Sequence, residues 1–166
     1  MGGGVAPTNI LLMSNRSSTE DDIERLTRTV EDFCVWIVAL PAEETRTQEW
    51  GPREILAHLV YWHEQYIAQS KAILSGRKYP ALRGRFADMN SMAAAKFRKI
   101  PIAKLSGRFR TANRHLCRLA REPSARKIAF SIKQGSKHWR LTDLLPAVEA
   151  HIRNHLQVLK KESSLR

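Results

Sequence analysis

The chain has only two cysteines, Cys34 and Cys117, among 166 residues. That is too few for a disulfide scaffold, and it fits the reducing cytoplasm. No apolar run reaches the length of a membrane span, so no membrane partner is expected. The opening stretch MGGGVAPTNILLM has no basic region, and its apolar part is short and broken, which argues against a signal peptide. Residues 1–16 read as a flexible tail, with Met13 as an alternative start, and residues 17–162 as one domain. There is no HExxH, which removes the zincin protease reading because the general base is missing at that spacing. No Gly-rich phosphate loop and no internal repeat is present. Nor is there a helix-turn-helix, zinc-finger or RNA-binding motif.

Acids are also scarce over a long stretch. From Lys71 to Arg140 there are nineteen Lys or Arg against two acids, Asp88 and Glu122, a local excess of +17 within a chain of net charge +12. From Ser14 to Trp50 the balance reverses, with nine acidic and four basic residues. One face of the fold should therefore carry a strong positive field. A nonspecific, salt-sensitive attraction to nucleic acid or another polyanion follows from such a field, with Arg110, Arg114, Arg118 and Arg121 as its candidate contacts. The plainer reading of the same residues is a solvated basic surface.

What the chain does have is apolar periodicity. Hydrophobic residues make up 43%, which excludes compositional disorder. Ser17, Ser18 and Thr19 are N-cap candidates, and Glu20, Asp21 and Asp22 follow where the helix dipole favours acids. Ile23, Leu26, Val30, Phe33, Ile37 and Leu40 then recur at spacings of three and four, which predicts a first helix from Thr19 to Leu40, ended by Pro41. A second helix is predicted from Pro52, with the stripe Ile55, Leu59, Trp62, Tyr66 and Ile73 and a stop at Gly76. RKYPALRG (77–84) reads as a loop containing Pro80, and FADMNSMAAAKF (86–97) as a short helix. After Pro101, the residues Ile102, Leu105, Phe109, Ala112, Leu116 and Leu119 repeat the seam until Pro123. IAFSI (128–132) reads as an extended piece with no evident partner strand. A last helix starts near Thr142, with Pro146 in its first turn and Leu141, Leu145, Val148, Ile152, His155 and Leu159 as its stripe. The fold class is all-α: one four-helix bundle with a short extra helix before helix three. A homodimer is one assembly that such a bundle can form.

Three histidines stand on or beside these stripes. His58 lies three residues after Ile55 and four before Trp62, so it faces inward. His151 and His155 are four apart and project from one helix face, one turn apart. Two imidazoles at that spacing plus a third from another helix can hold one transition-metal ion and leave a coordination position open. Zn, Ni and Fe all suit imidazole ligands, and the residues do not choose among them. A lone buried histidine is more often a hydrogen-bonded core residue. His63 lies on the flank of the second-helix stripe; Trp62 and Trp139 read as packing anchors that can also line a ligand pocket. Cys34 packs beside the first seam. Cys117 sits among arginines that can lower a thiol pKa, but the inert reading is the simpler one for both.

WGPREILAHLVYWHEQY (50–66) resembles the second-helix motif of the DinB-like four-helix bundle superfamily, in which a Trp precedes the helix and a His follows eight residues later; here these are Trp50 and His58. HIRNHL (151–156) is similar to that family's closing HxxxH, and the resemblance covers about residues 19 to 161. FADMNSMAAAKFRKIPIAKLSGRF and HWRLTDLLPAVEAHIRNHL resemble the ClbS/DfsB branch, although LLPAVEA lacks the small, Asn-containing stretch often seen there. The resemblance implies a small-molecule ligand between the helices and a divalent metal on His58, His151 and His155. The implied chemistry is that of a metal-dependent thiol S-transferase, or of a hydrolase that inactivates an electrophile.

Overall fold

In the computed structural model, residues 8–46, 49–79 and 81–165 are described, with side chains from Ser18 onward. They form α1 (Thr8–Val38), α2 (Pro52–Leu74), α3 (Phe86–Phe97) and α4 (Ile102–Arg121), then a 3-10 turn (Pro123–Lys127), β1 (Ala129–Ser131), β2 (His138–Arg140) and α5 (Leu141–Ser163). The architecture is all-α, a bundle of four long helices with the short α3 before α4 and one small two-stranded sheet. No helix among the described residues is long and apolar enough to cross a membrane.

The helices form where the apolar seams lie. In α1, Ile23, Leu26, Val30, Phe33 and Ile37 are buried and Leu40 just past it is half-buried. The helix begins at Thr8, well before the cap residues around Thr19. Residues 8–16 of the expected tail are thus helical, and residues 1–7 lie outside the described residues. Local cap signals mark where a helix can start, not where it must, when the preceding residues tolerate helical backbone.

α2 is the central element and is buried nearly all round from Glu54 to His63. Gly51 donates its N–H to Glu54 at 3.1 Å, half of a capping box, and Pro52 occupies the first turn. Gly76, at φ +70°, follows the C-cap and ends the helix as the sequence implies. Pro80, expected in the loop that follows, lies outside the described residues. α3 has the expected bounds, and its inner side carries Met89, Ala93 and Phe97 at four-residue spacing.

α1 packs against α4 and α5, and α2 against α4 and α3, whereas α2 and α5 touch only sparsely. The core between them centres on Phe33, Phe109, Leu26, Leu56, Leu116 and Leu145, all at most 2% exposed. Phe109 meets Phe33 edge-on at 6.1 Å. The cleft left between α2 and α5 is where the site lies.

Two local expectations are corrected. The strand in 128–132 has a partner after all: β1 pairs antiparallel with β2, Phe130 opposite Trp139. The connecting turn is closed by Gly135 at φ +78°, a conformation that favours glycine. Strand β2 was hidden because its three residues run directly into α5, whose N-cap is Arg140 rather than Thr142. α5 consequently starts at Leu141, so Pro146 is its sixth residue and removes an interior hydrogen bond. Second, Leu156 takes the core position expected of His155, which is half-buried.

Candidate metal centre and adjoining cavity

His58 from α2 and His151 and His155 from α5 come together at the cleft. The Nε2 atoms of His58 and His151 are 2.9 Å apart, and those of His151 and His155 are 3.2 Å apart. All three ligand atoms lie within 4.8 Å of one another. Nitrogens bound to one ion at the usual 2.1 Å and tetrahedral angles are about 3.4 Å apart, so the spacing fits a shared cation. His58 is buried, His155 half-buried and His151 exposed, which leaves one side of the group open.

The hydrogen-bond pattern around His58 determines which nitrogen is available. Trp62 Nε1 lies 3.0 Å from Asn90 Oδ1 and 3.1 Å from His58 Nδ1, and an indole N–H can only donate, so one of these two atoms must accept it. Asn90 turns its amide oxygen, not its NH2, toward both the indole and the His58 ring, and that oxygen is the acceptor. The same oxygen lies 2.8 Å from His58 Nδ1, and because an amide oxygen cannot donate, Nδ1 carries the proton. Nε2 of His58 therefore presents its lone pair to His151 and His155. This is the tautomer a metal ligand needs, with its other ring nitrogen held by a hydrogen bond.

Hydrogen bonds among the three rings cannot all be made at once. The N–H of His151 can be directed well at only one of its two neighbours, so the protein supplies a donor to only one of the two facing nitrogens. Protons do not solve the problem. Burial pushes the His58 pKa down to about 3 and the His155 pKa down to about 4, with the neighbouring histidines adding to the effect, and burial lowers His151 as well. A single cation satisfies all three nitrogens at once. His58, His151 and His155 can hold a metal ion.

Beside the histidines is a cavity of about 300 Å³. His58, Asn90 and His151 form its polar side, and Trp62, Tyr66, Phe86 and Trp139 supply aromatic walls. Among the described residues, no acidic one lines it. Trp62, His63 and Trp139, the three pocket candidates, all line this cavity. His63 donates Nδ1–H to the carbonyl of Leu59 at 3.1 Å and packs edge-on against Phe109 at 4.8 Å. Burial lowers its pKa to about 4, so it is neutral near pH 7. A second groove, lined by Trp50, Val158 and Glu162, also borders His151 and His155.

The four candidate arginines of α4 are not brought together as one free patch. Arg110 forms a two-pronged pair with Glu31 at 2.7 and 2.8 Å, and Arg121 pairs with Glu20. Arg114 donates to Thr111 at 2.9 Å, and Arg118 has no acidic partner among the described residues. The acids of α1 thus answer part of the positive charge of α4. Neither cysteine is activated. Cys34 points its thiol at the Ser106 carbonyl and Cys117 lies between Thr27 and Asn113, and burial pushes both pKa values up.

Asn90 is the residue of this site that residue-by-residue reading passed over. The one signal was its place: an asparagine inside a helix of strong formers, next to the buried Met89. Together the fold and site define an all-α bundle with a three-histidine group that can hold a metal ion at the edge of an apolar cavity. No protein-family model, no curated protein and no solved structure matches this chain.

Proposed function

We propose that this chain is a DinB-like bundle of the ClbS/DfsB type that binds or inactivates a small electrophilic molecule in the cavity between α2 and α5. In this reading His58, His151 and His155 hold a divalent ion, with Zn, Ni and Fe as the candidates. The observation that carries it is the convergence of three imidazole nitrogens, one with its tautomer set by Asn90, on the wall of an aromatic cavity. Three protein ligands leave a position for a reactant, the pattern of reactive rather than structural sites. A bound divalent ion would supply Lewis acidity, lowering the pKa of a water or a thiol and so favouring hydrolase or thiol S-transferase chemistry.

The chain's own residues have distinct parts in this scheme. Trp62 and Asn90 keep the His58 proton on Nδ1. Tyr66, Phe86 and Trp139 enclose the apolar body of the ligand and exclude water from it. His63, neutral and buried on the cavity wall, offers a hydrogen-bonding ring without adding charge.

Elemental analysis of tag-free protein, as wild type and as His155→Ala, tests the reading. The wild type should bind one equivalent of Zn or Ni and show a raised melting temperature that EDTA reverses, because a ligand of the native state stabilises it by mass action. The variant should take up less and lose the stabilisation. Wild-type protein that stays empty after metal addition ends this reading. The alternative, polyanion binding by α4, has two of its four arginines engaged in ion pairs, so the cavity reading takes precedence.

A further inference from the structure

Two lysines of the β1–β2 turn rest against aromatic rings that line the cavity, without lining it themselves. The hairpin turn between β1 and β2 begins near Lys133 and ends near Lys137. Lys133 Nζ stands 5.2 Å from the ring centre of Phe86, and Lys137 Nζ stands 3.9 Å from the ring centre of Trp139. Both rings line the cavity, and Phe86, 44% exposed, marks its solvent edge. The turn is tied to the segment before α3, since Gln134 donates its backbone N–H to the Leu82 carbonyl at 2.8 Å. The two ammonium groups are thus placed on the aromatic rim and are not adrift on a long loop.

Neither lysine has an ion-pair partner among the described residues. The nearby acids are engaged elsewhere: Asp88 pairs with Arg85 at 2.8 Å and Asp143 with Arg140 at 3.5 Å. Resting on aromatic faces stabilises the ammonium groups a little without neutralising them. The cavity therefore has an apolar aromatic body, histidines on one wall, no carboxylate among its described lining residues, and two ammonium groups without acidic partners held against the rings of its wall.

We propose that the cavity selects amphipathic anions, in which an apolar, ring-sized body lies between Trp62, Phe86 and Trp139 and a carboxylate meets Lys133 and Lys137 at the mouth. This rests on the ligand-pocket reading and adds the ligand class to it. The carboxylate stays at the rim, so the body's far end is directed toward His58 and His151. The +17 excess between Lys71 and Arg140 then acts as more than bulk charge, because it draws such anions toward this end of the molecule.

Calorimetric titration of the full chain at pH 7.5 in EDTA, with 2-naphthoate and the neutral, nearly isosteric 2-naphthamide, tests the inference. EDTA prevents a metal from capturing the carboxylate. The wild type should bind naphthoate at least about tenfold tighter than naphthamide, a difference of about 1.4 kcal/mol. Lys133→Met combined with Lys137→Met should abolish that preference and leave naphthamide binding intact. Lys160→Met with Lys161→Met, which lowers net charge equally at the far end of α5, should keep it. Equal affinity of the wild type for the two probes overturns the inference, as does a preference that survives in the Lys133/Lys137 variant. If neither probe binds, the inference and the ligand-pocket reading fall together, whereas equal binding of both removes the inference alone. The wild-type comparison stands even if the double variant does not fold.

Discussion

Replacing Asn90 by alanine should turn a metal-ready histidine into a blocked one. In the native site Trp62 Nε1–H lies 3.0 Å from Asn90 Oδ1 and 3.1 Å from His58 Nδ1, and with Nδ1 protonated only the Asn90 oxygen can accept it. While Asn90 is present, its oxygen takes both the indole proton and the His58 Nδ1 proton. In Asn90→Ala the indole N–H has only His58 Nδ1 left, and donating to it requires a lone pair there. The ring proton then moves to Nε2, the nitrogen that faces His151 and His155. The unliganded protein loses two hydrogen bonds and regains one, a net cost of about 0.5–1.5 kcal/mol. For a domain of this length that lowers the melting temperature by roughly 1–6 °C. Metal binding suffers more, because the ion must displace the Nε2 proton and break the new indole bond; the expected loss is about 10–100-fold in affinity. Chelator-competition titration with zinc measures it, and long-range nitrogen NMR reports the His58 tautomer directly. Adding Trp62→Phe removes the competing donor and should restore part of the affinity lost in Asn90→Ala. Unchanged zinc affinity in Asn90→Ala, or an Nδ1–H tautomer that persists in it, refutes the reasoning.

Other expectations concern stability and reactivity. His58 and His63 are 5% and 1% exposed, with pKa values of about 3 and about 4, against about 6.5 in the unfolded chain. Between about pH 6.5 and 4 the unfolded chain binds protons that the folded one refuses, so stability is complete above pH 6.5 and falls on acidification by about 1.4 kcal/mol per pH unit for each group; urea melts in EDTA from pH 7.5 to 4.5 read this slope, and a flat profile contradicts it. Phe109→Ala empties the space between Phe33 and His63 and should cost about 3–5 kcal/mol, read from the urea midpoint; a loss below about 1 kcal/mol means that the core does not rest on this ring. Cys34 and Cys117, both buried with raised pKa values, should react with a thiol reagent only at the rate of unfolding; fast labelling of the folded protein argues against the packing around them.

Much of this molecule was legible along the chain because helix formation and seam burial are decided within a few turns. The spacing of Ile23 to Ile37, the punctuation by Pro52, Gly76, Pro101 and Pro123, and the placing of His58, His151 and His155 near apolar stripes are one-dimensional facts, and the helices follow them. The start of α1 was less legible, because helical backbone can extend past a good cap when nothing forbids it. The β1–β2 pairing was not legible either, since three-residue strands carry almost no periodic signal. What tertiary structure alone decided is which atoms meet. Only the packing of α3 across α2 brings Asn90 to within reach of both Trp62 and His58, and so selects the nitrogen that faces His151. Only the approach of the acidic α1 to α4 pairs Arg110 and Arg121 with Glu31 and Glu20 and divides a charge run that looks continuous in the sequence. And only the hairpin's contact with the segment before α3 sets Lys133 and Lys137 against two of the rings that line the cavity. Periodicity assigns each residue to a face of its own helix, but the choice of tautomer, charge partner and rim depends on ångström-scale distances between elements far apart in the chain, and those are set by how the helices pack.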